Sequence, residues 1–302
     1  RWYDWHSIIQ VRKQLVRNLW SRLMRSGFGG KQGSLSGRSI GKKDLVDRAG
    51  SKHSLIRAIG GGDILTWIDA TSTSNTLGSN LTNSTIDVID GTSPTVGGQV
   101  PSTEFSTVLN TTAYSFQSNG GVGESLSFPT SLIPANTNKI TVASRFCVTA
   151  ASLAAAHIIW EIGNATGFGG VDGGAVHGII DVSGDKFWSG IGDVTTSEDS
   201  FFLSTEVPEV SRAYAYVSTH DTVPDPDQLK QYLDGKTLIP ASESDLTGDT
   251  AYNFSTSVAS YMGARVPNSS AFSLQGHLSD FIIVKRKLTE GESQRLSKAL
   301  SS

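Results

Sequence analysis

The residue types that could do chemistry in this chain are present, but their spacing is wrong for catalysis. Six histidines, His6, His53, His157, His177, His220 and His277, follow no metal-ligand pattern. His177, inside Ala175-Val176-His177-Gly178, reads as a strand residue. No Gly-x-Ser-x-Gly elbow occurs. The glycine run from Gly167 to Gly174 lacks the Lys-Ser/Thr and the helix of a phosphate loop, so it reads as a hairpin loop. Glycoside hydrolysis on a sheet needs carboxylates two or four apart on one strand, where the period of two sets them on one face. The candidate pairs do not qualify: Asp225 and Asp227 flank Pro226 in a turn, and Glu243 and Asp245 lie among serines before Gly248, so both read as solvated loop charges. No catalytic residue and no enzymatic activity is expected.

Two binding chemistries fit better. In Asp185-Lys186-Phe187-Trp188-Ser189-Gly190-Ile191-Gly192-Asp193, an exposed Trp188 could stack on the apolar face of a sugar while Asp185, Lys186 and Asp193 supply hydrogen bonds. Strand alternation requires either Phe187 or Trp188 to face the core. Asp172, Asp181, Asp185 and Asp193 gather around glycine-rich turns, and hard oxygen ligands of this kind suit calcium. Their spacing matches no calcium loop and turn aspartates commonly cap backbone amides, so no metal or cofactor is expected and calcium stays an open alternative. Cys147, between Phe146 and Val148, reads as a small buried hydrophobe.

These residues must be positioned by strands. The chain has 302 residues with only 18% charged, and 42 Ser, 27 Thr and 32 Gly fill the deficit, a composition of many short strands and turns. Expected strands are Ile64 to Asp69, Ile86 to Ile89, Ser125 to Phe128, Lys139 to Val148, His157 to Ile162, Gly178 to Val182, Arg212 to Thr219, Gln231 to Leu233, Thr237 to Pro240, Ser260 to Arg265 and Gly276 to Val284. Asp234-Gly235 between two apolar runs predicts a hairpin with a type I′ turn. Leu288-Thr289 opens a short capped helix over Thr289 to Leu300, with Glu290 and Glu292 early and Lys298 late.

The charge is uneven. Residues 1–60 hold 13 Lys or Arg against 3 Asp or Glu, a net +10, and the remaining residues hold 12 against 25, a net −13; the two sum to −3. Residues 1–26 predict a basic amphipathic helix: Trp2, Trp5, Leu15, Leu19 and Trp20 lie on one stripe, Lys13, Arg17, Arg22 and Arg25 lie outside it, and Arg12 falls within it. Residues 27–62 read as a Gly/Ser-rich linker with a short helix from Lys43 to Ile59, and 63–302 as the β body. The arm is expected to anchor the chain in an oligomer or larger particle. A membrane interface, nucleic-acid phosphates, or packing against its own body are alternatives. The chain opens on Arg1 and reads as processed or partial.

Tyr232-x-Asp234-Gly235-Lys236, Met262-Gly263-Ala264-Arg265, Phe272-x-Leu274-x-Gly276-x-Leu278-x-Asp280-Phe281-Ile282-Ile283 and the closing Lys287-Leu288-Thr289-x-x-Glu292, with Ile64 to Ala70 at the start, resemble laminin G-like and concanavalin A-like domains of the type in tailed-phage virion proteins and bacterial surface proteins. The resemblance implies an all-β, two-sheet jelly-roll sandwich flanked by an N-terminal helical arm and a short C-terminal helix. It implies display, adhesion or glycan binding rather than catalysis. The leading expectation is a non-enzymatic virion structural protein, a decoration, fibre or adhesion component of the particle. Its arm docks on other virion proteins, the chain is a homo-oligomer, and its sandwich meets host surface glycans. The alternatives are a bacterial cell-surface or secreted carbohydrate-binding module, and a capsid protein with a genome-binding arm.

Overall fold

The computed structural model describes residues 52–71, 95–96, 101–119, 122–129, 132–134, 136–149, 157–163, 174–180, 185–192, 199–223, 228–244, 254, 260–264 and 273–302. The chain divides into two units, Arg1–Leu45 and Val46–Ser302, and every described residue belongs to the second. The arm residues Trp2, Trp5, Arg12, Lys13, Leu15, Arg17, Leu19, Trp20, Arg22 and Arg25, and the strand expected at Ile86 to Ile89, lie outside the described residues.

Two eight-stranded antiparallel sheets form the body. The first runs β15 (Lys236–Thr237), β14 (Leu229–Leu233), β13 (Tyr214–Asp221), β8 (Lys139–Val148), β18 (Gly276–Val284), β4 (Thr111–Phe116), β3 (Ser102–Ser106), with β1 (Ile64–Asp69) beside β18. The second runs β16 (Pro240–Ser244), β12 (Asp199–Ser204), β11 (Lys186–Gly192), β10 (Gly174–Ile180), β9 (His157–Gly163), β17 (Ser260–Met262), β7 (Leu126–Phe128), β2 (Thr95–Val96). A separate ribbon joins β5 (Ser118–Asn119) to β6 (Val122–Gly123).

Helix α1 (Lys52–Gly60), followed by a 3-10 turn at Gly61–Asp63, and helix α2 (Glu290–Ser301) both pack on the outer face of the first sheet. That layering explains the sequence of the central strands. Along β8, Ile140, Val142, Phe146 and Val148 enter the core between the sheets, while Ala143 joins Ile56, Trp67, Val217, Leu296 and Leu300 under the helices. A strand covered on both faces needs a nearly continuous apolar run, which β8 and β18 have. One long strand, β18, serves two neighbours on one edge: β4 pairs with Gly276–Leu278 and β1 with Asp280–Val284, the change falling at a bulge between Leu278 and Asp280.

The local turn chemistry matches expectation. Asp234 and Gly235 take φ of 51° and 82°, as a type I′ turn requires, and Gly235 donates its N–H to Ser297 Oγ, fixing the hairpin to α2. Thr289 and Glu292 form a reciprocal capping box at the start of α2.

Several boundaries differ from the sequence reading. The expected strand Thr237 to Pro240 is split: β15 ends at Thr237 in the first sheet, and β16 begins at Pro240 in the second. Glu243, read as a loop charge, is an exposed residue of that edge strand β16. The glycine run read as a loop gives its last residue, Gly174, to the start of β10. The helix read from Lys43 to Ile59 is described from Lys52, and it packs on the sheet.

Candidate functional site

Strand β11 places the residues expected to bind a sugar. Phe187, Ser189 and Ile191 turn inward and are buried, so alternation sends Lys186, Trp188 and Gly190 to the outer face of the second sheet. Asp185, Lys186 and Trp188 are half-buried; Asp193 lies outside the described residues. Of the aspartates weighed for calcium, Asp185 alone is described, and among the described residues no three His, Cys, Asp or Glu are grouped to hold a metal ion.

The register defines the surroundings of Trp188. It stands opposite Gly178 on β10 and Leu203 on β12. In the neighbouring row, Phe201, Gly190, Val176, Glu161 and Tyr261 occupy successive strands. Two glycines therefore flank the indole, one across the sheet and one along the strand. Gly178 is required by its own strand: a Cβ there would lie 2.3 Å from the His157 carbonyl oxygen, at the irregular register where β10 meets β9. The position a side chain would take there is filled by that carbonyl and by the Ile158 side chain. A platform of this shape suits an apolar sugar face, with Lys186 two residues away on the same side of the strand.

Glu161 and Tyr261 were missed by sequence reasoning. Burial, and then the charge of Glu161, push the Tyr261 phenol upward, which places the two groups in electrostatic contact on this face. The available signal was a lone carboxylate inside the apolar run Ile158-Ile159-Trp160-Glu161-Ile162.

Two further polar groupings were not legible. Between the sheets, His177 stacks on Tyr216 with ring centroids 3.7 Å apart, and its Nδ1 lies 2.7 Å from the Trp188 carbonyl. Ser189 Oγ lies 2.6 Å from Tyr216 Oη, and His220 Nε2 lies 2.8 Å from Ser218 Oγ. Burial pushes His177 and His220 each down to about 3, so both are neutral, and pushes Tyr216 well up. On the outer face of the first sheet, His277 Nε2 is 2.8 Å from Glu104 Oε1, while its Nδ1 is 2.8 Å from Ser106 Oγ and 3.8 Å from Cys147 Sγ. The line resembles nucleophile, base and orienting acid. It is not poised as one: Cys147 is buried, burial pushes its thiol upward, and Ser106 holds the nearer place on Nδ1.

The chain resembles solved structures whose names differ widely. The binding domain of botulinum neurotoxin DC, solved in complex with rat synaptotagmin II, aligns with a TM-score of 0.52 at 13% identity over 79% of this chain and 52% of that one. A Trypanosoma rangeli sialidase aligns with a TM-score of 0.43 at 12% identity, covering 79% of this chain and 33% of that one. Domain 4 of an arabinanase from Geobacillus stearothermophilus, in complex with arabinotriose, aligns with a TM-score of 0.42 at 10% identity, covering 78% and 98%. The fold is a concanavalin A-like jelly-roll sandwich. The chain spans about half the length of the toxin domain and a third of the sialidase. No protein-family model matches the sequence, and no curated protein matches it. Identities this low establish the jelly-roll architecture alone.

Proposed function

We propose that this chain is a non-enzymatic attachment and display protein whose jelly roll binds a saccharide on the outer face of its second sheet. The observation carrying this reading is Trp188, turned outward and half-buried on β11 with Gly178 and Gly190 beside it. An aromatic ring that keeps part of its surface exposed stabilises less by burial than the same ring in a core, and suits contact with a sugar's C–H face. Asp185 and Lys186 at the head of the strand supply acceptor and donor.

The charge division supports attachment through residues 1–60, which carry +10 against a body of −13. A repeated particle surface, such as a virion, suits a weak saccharide site because many copies convert low affinity into avidity. Screening on a glycan microarray, followed by titration of any hit, tests the reading. Trp188→Ala is expected to lower affinity at least tenfold with the fold intact. A hit bound equally well by that variant would overturn the site, as would the failure of every glycan to bind. Arm-dependent flotation with anionic liposomes, in place of arm-dependent incorporation into particles, would move the assignment to a bacterial surface module.

A further inference from the structure

One ring in the core costs more to bury than its place requires. His177 on β10 is fully buried between the sheets in a layer of aromatic rings: Tyr216 stacks on it at 3.7 Å, and Trp160, Phe146 and Phe187 lie at 6.0, 6.2 and 6.3 Å between centroids. Its Nε2 has no hydrogen-bond partner among the described residues, and a buried polar atom left unpaired costs stability. Packing alone would be served better by phenylalanine. The imidazole is explained instead by what its other nitrogen holds.

Nδ1 lies 2.7 Å from the Trp188 carbonyl oxygen. That oxygen can only accept, so Nδ1 carries the proton of the neutral ring and donates it. Burial, which pushes His177 down to about 3, keeps the ring singly protonated at neutral pH. Ser189 Oγ stands 3.2 Å from the same nitrogen and 2.6 Å from Tyr216 Oη.

The peptide link between Trp188 and Ser189 is therefore held on both sides, its carbonyl by His177 of the neighbouring strand and the residue that follows by Tyr216 of the opposite sheet. The atoms from the Trp188 Cα to the Ser189 Cα lie in one plane, so fixing the oxygen and the next residue limits how the strand can turn about the Trp188 Cα. The direction in which the indole leaves the strand is limited with it. On its β10 side Trp188 faces Gly178, which offers no cross-strand side chain to hold the ring from the outer face.

We propose that His177 is a positioning residue: acting from inside the sandwich through the Trp188 carbonyl, it sets the direction of the indole on the outer face. What that indole meets rests on the functional reading above; the coupling between the two residues does not. Fluorine NMR of the full chain labelled with fluorotryptophan tests it, with the Trp188 line assigned by its loss in Trp188→Phe and its exposure read from the shift between light and heavy water. No saccharide enters the measurement, so its outcome is separate from whether this face binds one. His177→Phe keeps the ring layer and removes the donor, whereas His177→Asn keeps an N–H donor near the place of Nδ1 and removes the ring. The Trp188 line is expected to move, broaden or split in His177→Phe and to stay near its wild-type position in His177→Asn. Thermal unfolding is expected to give the opposite order, with His177→Asn melting several degrees below His177→Phe because it leaves a cavity beside Tyr216. A residue that only fills the core would move both readouts in the same order, and a direct ring-current effect of the imidazole would shift the line at least as much in His177→Asn. An unmoved Trp188 line in His177→Phe overturns the proposal whether or not the asparagine variant folds. A line displaced further in His177→Asn than in His177→Phe overturns it as well.

Discussion

Two tryptophans point away from the core, one from each sheet, and they meet opposite fates. Trp67 on β1 is fully buried beneath α1, where its ring makes an edge contact with His53 at 4.6 Å. Around it the face is closed by charge as well as by helices: Lys52 Nζ lies 2.8 Å from Asp280 and 3.9 Å from Asp69, and His53 Nε2 lies 2.8 Å from Asp69. Burial alone would raise the Asp69 carboxyl, but Lys52, with hydrogen bonds from Thr71 and His53, holds it below the ordinary range. Trp188 on β11 is half-buried between glycines, and among the described residues no helix covers its face. The same residue type is thus fully buried on one side of the sandwich and partly exposed on the other. The neighbours decide which, since nothing intrinsic to the indole does.

The contrast breaks most plainly at Trp67. Trp67→Ala removes a fully buried ring between a helix and a sheet and is expected to cost about 3–5 kcal/mol in urea unfolding at pH 7; a loss below 1 kcal/mol would mean that α1 does not depend on it. The next effect belongs to the layer that both sheets share. His177 and His220 are held near 3 when folded, against an ordinary value near 6.5, so the unfolded chain binds more protons between those limits. Stability is therefore full above about pH 6.5 and falls toward pH 3, by roughly 1.4 kcal/mol per pH unit for each histidine. Denaturation midpoints across that range check this, and His220→Phe is expected to halve the slope. Gly178→Ala places a methyl group against the His157 carbonyl and is expected to cost about 1–3 kcal/mol, with displacement of β10 beside Trp188. Trp188→Ala is the smallest: roughly 0.5–1 kcal/mol or less in stability, against the tenfold loss of saccharide affinity expected above. A loss as large as that of Trp67→Ala would erase the distinction between the two faces.

Strands with strong apolar runs were readable in advance, and strands built from hydroxyl side chains were not. The runs at Ile64, Lys139, His157 and Gly276 announce β1, β8, β9 and β18 because both faces of those strands are covered. Strands β3, β4 and β12, with sequences STEFS, TTAYSF and DSFFLS, passed unread. Their buried positions include Thr103, Ser106, Ser115 and Ser204, so the polar and apolar letters do not alternate with burial. Helix α2 and the Asp234-Gly235 hairpin were legible because a capping box and a positive-φ pair are local chemistry. The polar clusters were not, because register brings them together: Glu104 and His277 are 173 residues apart, and His177, Ser189 and Tyr216 come from three separate strands. At β11 the sequence narrowed the choice to Phe187 or Trp188, and burial of Phe187 resolved it.

The pairing of β1 with β18, and the packing of both helices on the first sheet, put Lys52 and Ser301 on the same side of the sandwich. Trp188 stands on the outer face of the other sheet. A tag or surface tether joined after Ser302 therefore starts from the helix-covered side and leaves the face that carries Trp188 on the other side of the sandwich.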